Sequence, residues 1–235
     1  AYFVGQLGPD ALAAISFIFP ISVALTSLGV GLMVGINSVV ARALGEGDEH
    51  KAARRANFGI AFACVTGLVM GLGLFALLDP IFALMNAGRD TLPLIRTYMQ
   101  PFALGFPLLI AIMGFNGVLR GQGEARRTSL VSITYAAANW VLDPILITGA
   151  FGIEGLGTEG AALATLAGRV VAVAVAFFFA VRLGYLRRCG PILTDLRDSM
   201  GQIVPVGAPA AFSNAINPAG MALVMVLDRV STNRG

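Results

Sequence analysis

Long stretches without a charged residue recur along this chain, at 11–41, 56–78, 97–119 and 199–227, and two more, 128–149 and 160–181, carry one charge each. A helix rises about 1.5 Å per residue, so roughly 20 apolar residues cross the hydrocarbon core of a bilayer, and every stretch meets that length. Six membrane spans are expected. A helix in a soluble core would show a charged outer face every few residues, and 56–78 has none. Membrane β-barrels alternate apolar and polar residues, whereas Val170-Val171-Ala172-Val173-Ala174-Val175-Ala176-Phe177 does not. The composition agrees, with 57% hydrophobic and 12% charged residues against about 25% charged in soluble domains. The fold class expected is all-α, a polytopic membrane helical bundle.

The charges left over fall between the spans and orient them. Eleven of the 16 Lys and Arg lie in three connections, 42–55, 120–127 and 182–197, and these alternate with poorer ones, 79–96 and 150–159. Cationic loops stay on the cytoplasmic side, so the three rich connections face inward in a multi-pass protein of the inner or plasma membrane. The net charge of +3 is dispersed over these loops, not gathered on a soluble face, so no nucleic-acid partner is expected. Turn signals at Gly5–Asp10, Asp79-Pro80, Gly149–Gly152 and Gly155–Gly157 place the boundaries. The stretch around 185–198 has room for a short amphipathic helix on the cytoplasmic surface. Leu44-Gly45-Glu46-Gly47-Asp48 and Gly121-Gln122-Gly123-Glu124 look alike. Either the chain carries a duplication, as transporters do, or tight inner loops simply want glycine and cations. Cys64 lies within a span and Cys189 in a basic loop, so no disulfide joins them and no metal spacing exists.

Chemistry is concentrated in 128–149. Asp143 is an acid within a span, and an intramembrane carboxylate reads as functional by default. At about 100° per residue, Thr128, Ser132, Tyr135, Asn139 and Asp143 share one narrow face, opposite Leu130, Ile133, Ala137, Val141 and Ile145. Lipid cannot satisfy such a stripe, so it should face protein or a water-filled cavity. Asn139 and Asp143 are one turn apart, which lets an amide oxygen and a carboxylate approach one small hard cation, Na+, or a proton. Pro144 frees the carbonyl of Trp140 beside them. Arg169, in the next span, is a second charge in the membrane and a possible partner of Asp143. Met33, Met113, Phe115 and Trp140 offer adaptable apolar lining, with Tyr135, Ser132 and Arg169 as further cavity residues.

Several strings together resemble the multidrug and toxic compound extrusion (MATE) family. Tyr2-Phe3-Val4-Gly5-Gln6-Leu7-Gly8 with Ala11-Leu12-Ala13-Ala14 resembles the end of its first helix and the start of its second. Val40 to Asp48 resembles its first cytoplasmic loop, Leu119-Arg120-Gly121-Gln122-Gly123 its second, and Asn139 to Pro144 followed by Gly160-Ala161-Ala162-Leu163-Ala164-Thr165 its fifth and sixth helices. The resemblance implies one six-helix lobe over 1–198, its first helix truncated and its end a cytoplasmic linker. Residues 199–235 then begin the second lobe with the seventh helix. It also implies a cation site made by an Asp of the first helix, which would precede Ala1, with Asn139, Asp143 and a Thr of the sixth helix. Thr165 matches best, ahead of Thr158.

The function so implied is antiport, monomeric at full length: Na+ or H+ enters and drives export of amphipathic, often cationic compounds, with no cofactor beyond the coupling ion. The alternative within the superfamily is a flippase for a lipid-linked saccharide, which wants a cationic cavity where only Arg169 offers mid-span charge. An intramembrane aspartyl protease would fit Gly45-Glu46-Gly47-Asp48, but a catalytic Asp needs a second carboxylate sharing its proton, and no neighbouring span supplies one. No Gly-x-Ser-x-Gly or His-Glu-x-x-His occurs, so enzyme chemistry is not expected.

Overall fold

The computed structural model describes residues 9–84, 91–149, 157–186 and 199–216, and its elements there are all helical. They are α1 (Pro9–Gly45), α2 (Glu49–Leu84), α3 (Thr91–Gly121), α4 (Ala125–Pro144) running into one π-helical turn (Ile145–Gly149), and α5 (Gly157–Arg182). Residues 199–216 form a further helix, α6. Among the described residues five segments are long and apolar enough to cross a membrane: Ile21–Gly45, Glu49–Phe82, Ile95–Gly121, Ala125–Ile147 and Ala162–Arg182. They coincide with the first five spans expected. The sixth, 199–227, is helical over 199–216; its remainder, the segment before Pro9, Cys189 and most of the stretch around 185–198 lie outside the described residues.

One boundary differs from expectation. Asp79-Pro80 does not end the second span, because α2 runs through Pro80 to Leu84. A proline is tolerated in a membrane helix where neighbours satisfy the freed backbone. Asp79 instead ties α2 to α3, its two carboxylate oxygens accepting from Arg96 at 2.7 and 2.6 Å.

Packing is inside out relative to a soluble bundle. On α2 the large residues Val65, Leu68, Val69 and Leu72 are exposed, while Ala56, Gly59, Ala63, Gly67 and Gly71 are buried. A Cβ at Gly67 or Gly71 would lie 2.9 Å from Ile110 Cβ or the Ala103 carbonyl oxygen of α3. Small residues let membrane helices touch, and lipid takes the large ones. Helix α3 is central, packed against α1, α2 and α5, with α4 outermost on α5. Ile36, Phe106, Ile110 and Val118 fill the middle of the lobe with no exposed surface.

Three inner helix ends close in the same way. Past α1, the amides of Glu46, Gly47 and Asp48 donate to the carbonyls of Arg42, Leu44 and Ala43 at 3.0, 3.0 and 3.3 Å. The same ladder recurs at Gln122–Glu124 after α3 and at Leu183–Tyr185 after α5. Each places a glycine at positive φ: Gly47 at 77°, Gly123 at 80°, Gly184 at 69°. This is a helix cap that needs a left-handed residue. Because Leu183-Gly184-Tyr185 forms it without sharing the Gly-x-Gly-acid sequence, the likeness of the first two loops needs no duplication to explain it.

The three basic connections meet at one end of the bundle. Tyr185 donates its hydroxyl to Glu124 at 3.4 Å, Arg127 lies 5.8 Å from the Phe179 ring centroid, and Arg55 donates to Ser199. Burial, and then the Glu124 charge, push the Tyr185 hydroxyl above its ordinary range.

Candidate functional site

Helix α4 turns most of its polar stripe, with Val131, toward protein and much of its apolar face outward. Leu130, Ile133 and Val141 are exposed, whereas Thr128 is buried and Tyr135, Asn139 and Asp143 are half-buried. Two members of the stripe turn their hydroxyls back on the helix, Thr128 to the Ala125 carbonyl at 2.6 Å and Ser132, exposed, to the Thr128 carbonyl at 3.2 Å. They are thereby spent on local bonds.

Two close approaches fix the register between α4 and α5. A Cβ at Gly168 would lie 2.8 Å from Asn139 Nδ2 and 3.4 Å from the Tyr135 ring, and a Cβ at Gly160 would meet the Leu146 carbonyl. Rising numbers on α4 meet falling numbers on α5, so the helices are antiparallel. Asp143, between the two contacts, is level with Ala164, and Thr165 is the next residue. Thr158 is a turn and more farther out. The Asn139 amide nitrogen donates to the Tyr135 carbonyl at 3.2 Å, leaving its oxygen as the group available to a cation. Beyond Pro144 the backbone widens into the π turn and ends at Gly149, φ 81°. Such turns insert a local irregularity in a helix, often at functional positions.

Depth alters one part of the sequence argument. Asp143 lies four residues before the span's end at Ile147, about 6 Å along the axis at 1.5 Å per residue. A charge costs less there than at the midplane, so cost alone no longer marks the carboxylate as functional. Asn139 lies one turn away on the same face of α4. Among the described residues Asp143 makes no ion pair.

Arg169 is not the partner of Asp143 that the sequence offered. Its guanidinium lies where a Cβ at Gly105 of α3 would be, 5.9 Å from the centroid of Phe102. A missing side chain and an aromatic face hold it, which charge counting cannot see. The apolar lining is not gathered into one cavity either. Phe115, 4% exposed, packs edge-on to Phe177 at 6.2 Å, and Met113 sulfur fills the space beside Gly29. Met33 is half-buried with its carbonyl against Gly117, and Trp140 is 81% exposed. A cavity of about 170 Å³ does exist, but at the inner end, between Leu44, Glu49, Gln122 and Tyr185. Sequence reasoning missed Asn116, whose amide oxygen is buried with no hydrogen-bond partner among the described residues. An amide in an otherwise apolar span was the available signal.

The chain and its fold have counterparts among known proteins. The family model MatE matches residues 1–145. The chain belongs to the MatE family. It is 32% identical over 231 residues to a Shewanella oneidensis protein named FAD transporter, covering 96% of this chain and 50% of that one. To the multidrug export protein MepA of Staphylococcus aureus it is 28% identical over 216 residues, covering 89% and 46%. A crystal structure titled MATE in the straight conformation superposes with a TM-score of 0.80 at 30% identity, over 99% of this chain and 51% of that one. The chain thus spans about half the length of these MatE relatives. MatE proteins are multi-pass transporters of the plasma membrane, not enzymes.

Proposed function

We propose that these residues form the N-terminal lobe (1–198) and the start of the second lobe (199–235) of a cation-coupled antiporter. Na+ or H+ binds at Asp143, Asn139 and Thr165 and drives export of amphipathic, often cationic compounds, with no other cofactor and in a monomer. The observation that carries this reading is the α4–α5 register, in which an amide oxygen and a carboxylate one turn apart on α4 stand within about a turn, along the axis, of a hydroxyl-bearing residue of α5. A hard cation takes such oxygens. Coupling then requires only that cation occupancy and cargo favour opposite access states. The relatives named for multidrug export support the cargo class.

The test is ethidium efflux from vesicles holding the full-length transporter, with an imposed Na+ or proton gradient. Efflux that follows either gradient is expected; efflux indifferent to both sinks the coupling. A second reading, an acidic flavin dinucleotide as cargo, draws on the FAD transporter relative and on the cationic Arg169 within the lobe. Running FAD beside ethidium in the same vesicles separates the two.

A further inference from the structure

Four exposed arginines at the inner end of the bundle, Arg42, Arg120, Arg126 and Arg182, make no ion pair among the described residues, whereas Lys51 and Arg127 are paired with Glu46 and Glu124. What lies below each arginine, toward the bilayer midplane, divides the four. At 100° per residue, Leu130, Ile133 and Val141 continue the face of α4 that Arg126 begins, and all three are exposed. On α5, Phe178 and Val171 lie on the face that ends at Arg182, and both are exposed. Among the described residues, α3 has no exposed large hydrophobic residue nearer to Arg120 than Leu104, and α1 has none between Leu28 and Arg42. An unpaired cation above an apolar stripe is thus found on α4 and α5, not on α1 or α3. The two stripes are neighbours. Helices α4 and α5 pack antiparallel, with Asn139 against Gly168 and Leu146 against Gly160. Carried inward, this register sets Arg126 level with Ala180 and Val181, within two residues of Arg182. The Arg127 guanidinium, 5.8 Å from the Phe179 ring centroid, shows that the register holds to the inner end.

We propose that the exposed face of α4 and α5 binds one anionic phospholipid of the cytoplasmic leaflet, its phosphate held between Arg126 and Arg182 and its acyl chains laid on Leu130, Ile133 and Phe178. Packed helices stand about 8–10 Å apart, a gap that two arginine side chains close on one phosphate. The planar guanidinium matches phosphate oxygens with paired donors, and basic residues between membrane helices on the cytoplasmic side recognise such head groups. Glu124, the acid beside them, is already engaged by Arg127 and by the Tyr185 hydroxyl. The stripes select a lipid over a soluble anion, because a soluble anion would use the two charges and leave the apolar faces bare. A lipid bridging the inner ends clamps α4, the outermost helix, to α5, and so supports the contact that carries Asn139 against Gly168. The site requires the basic connections to face the cytoplasm and is independent of which ion or cargo the transporter moves.

The experiment titrates the purified full-length transporter, in neutral detergent, with phosphatidylglycerol or phosphatidylcholine and follows the melting temperature. The expected result is a saturable rise with phosphatidylglycerol alone. Its midpoint should move to at least about tenfold higher lipid in the double variant Arg126→Gln, Arg182→Gln, since each basic residue near an anionic head group is worth about fivefold. The double variant Arg42→Gln, Arg120→Gln removes as much charge from the same side but touches neither stripe, and its midpoint should stay at the parent value. Equal displacement by the two double variants overturns the site in favour of diffuse attraction to the basic surface. A phosphatidylglycerol effect no larger than that of phosphatidylcholine also overturns it, the outcome expected if another part of the full-length chain covers α4. Saturation by glycerol phosphate in place of the lipid overturns it in favour of a soluble-anion site. Should the first double variant fail to fold, Arg182→Gln alone against Arg120→Gln decides by the same displacement. Gradient-driven ethidium efflux reports on the coupling reading separately, since the lipid midpoint decides this site whichever way efflux behaves.

Discussion

Asp143 and Arg169 are the two charges the sequence places inside spans, and their surroundings assign them different work. Asp143 makes no ion pair among the described residues and lies one turn from an amide whose nitrogen is already bonded to its own helix. Asp143→Asn in the full-length transporter should therefore abolish gradient-driven export with little loss of stability. Breaking a buried ion pair costs about 3–5 kcal/mol, and no such pair is lost here. Arg169→Gln removes a cation–π contact with Phe102, worth roughly 0.5–2 kcal/mol. It should lower the melting temperature in detergent while export continues to follow the cation gradient. Equal destabilisation by the two changes would instead mean that the charges are paired, and full export by the Asp143 variant would end the site.

At the scale of helices, the α4–α5 contact is what assembles the site, and glycine is its instrument. Gly168 has 2.8 Å between a potential Cβ and Asn139 Nδ2, so Gly168→Val must push α4 off α5 and carry Asn139 and Asp143 away from that helix. Overpacking of this kind costs about 1–3 kcal/mol. Cation affinity, read by sodium-dependent thermal stabilisation, should fall along with it. Gly73→Ala on α2 is the control, because nothing lies within 4 Å of its Cβ; both readings should stay within about 0.5 kcal/mol of the parent. Unchanged sodium stabilisation in the Gly168 variant would show that the α4–α5 register does not hold the ligands.

For the whole molecule, the gathering of three basic connections at one end fixes how the lobe sits in the bilayer. Cys189, between Arg188 and Arg197, should react with a membrane-impermeant maleimide in inside-out vesicles and not in intact cells; Cys64, within the span Glu49–Phe82, should react in neither. Labelling of Cys189 in intact cells would invert the topology. Vesicles holding residues 1–235 alone should show no gradient-driven efflux, because one lobe has no second lobe to rock against. Efflux from them would defeat that expectation.

The sequence alone determined the first five spans and predicts their direction and the residues of the stripe. Each of these depends on local pattern: apolar length against bilayer thickness, the sidedness of Arg and Lys, and the 100° step that aligns Asn139 with Asp143. It misjudged Asp79-Pro80, because a proline ends a helix in water but not where an Arg96–Asp79 pair and neighbouring helices support the turn. It offered Arg169 to Asp143 because charge complementarity is visible in a sequence, whereas the vacancy at Gly105 and the face of Phe102 belong to another helix. Likewise Met113 and Phe115 were read as cavity lining from residue type, and packing against Gly29 and Phe177 claimed them. Only the tertiary structure decided which glycines are contacts. The closeness of Gly168 to Asn139, and of Gly31 to Gly207, depends on the crossing of helices far apart in the chain, and no periodicity within either helix encodes it.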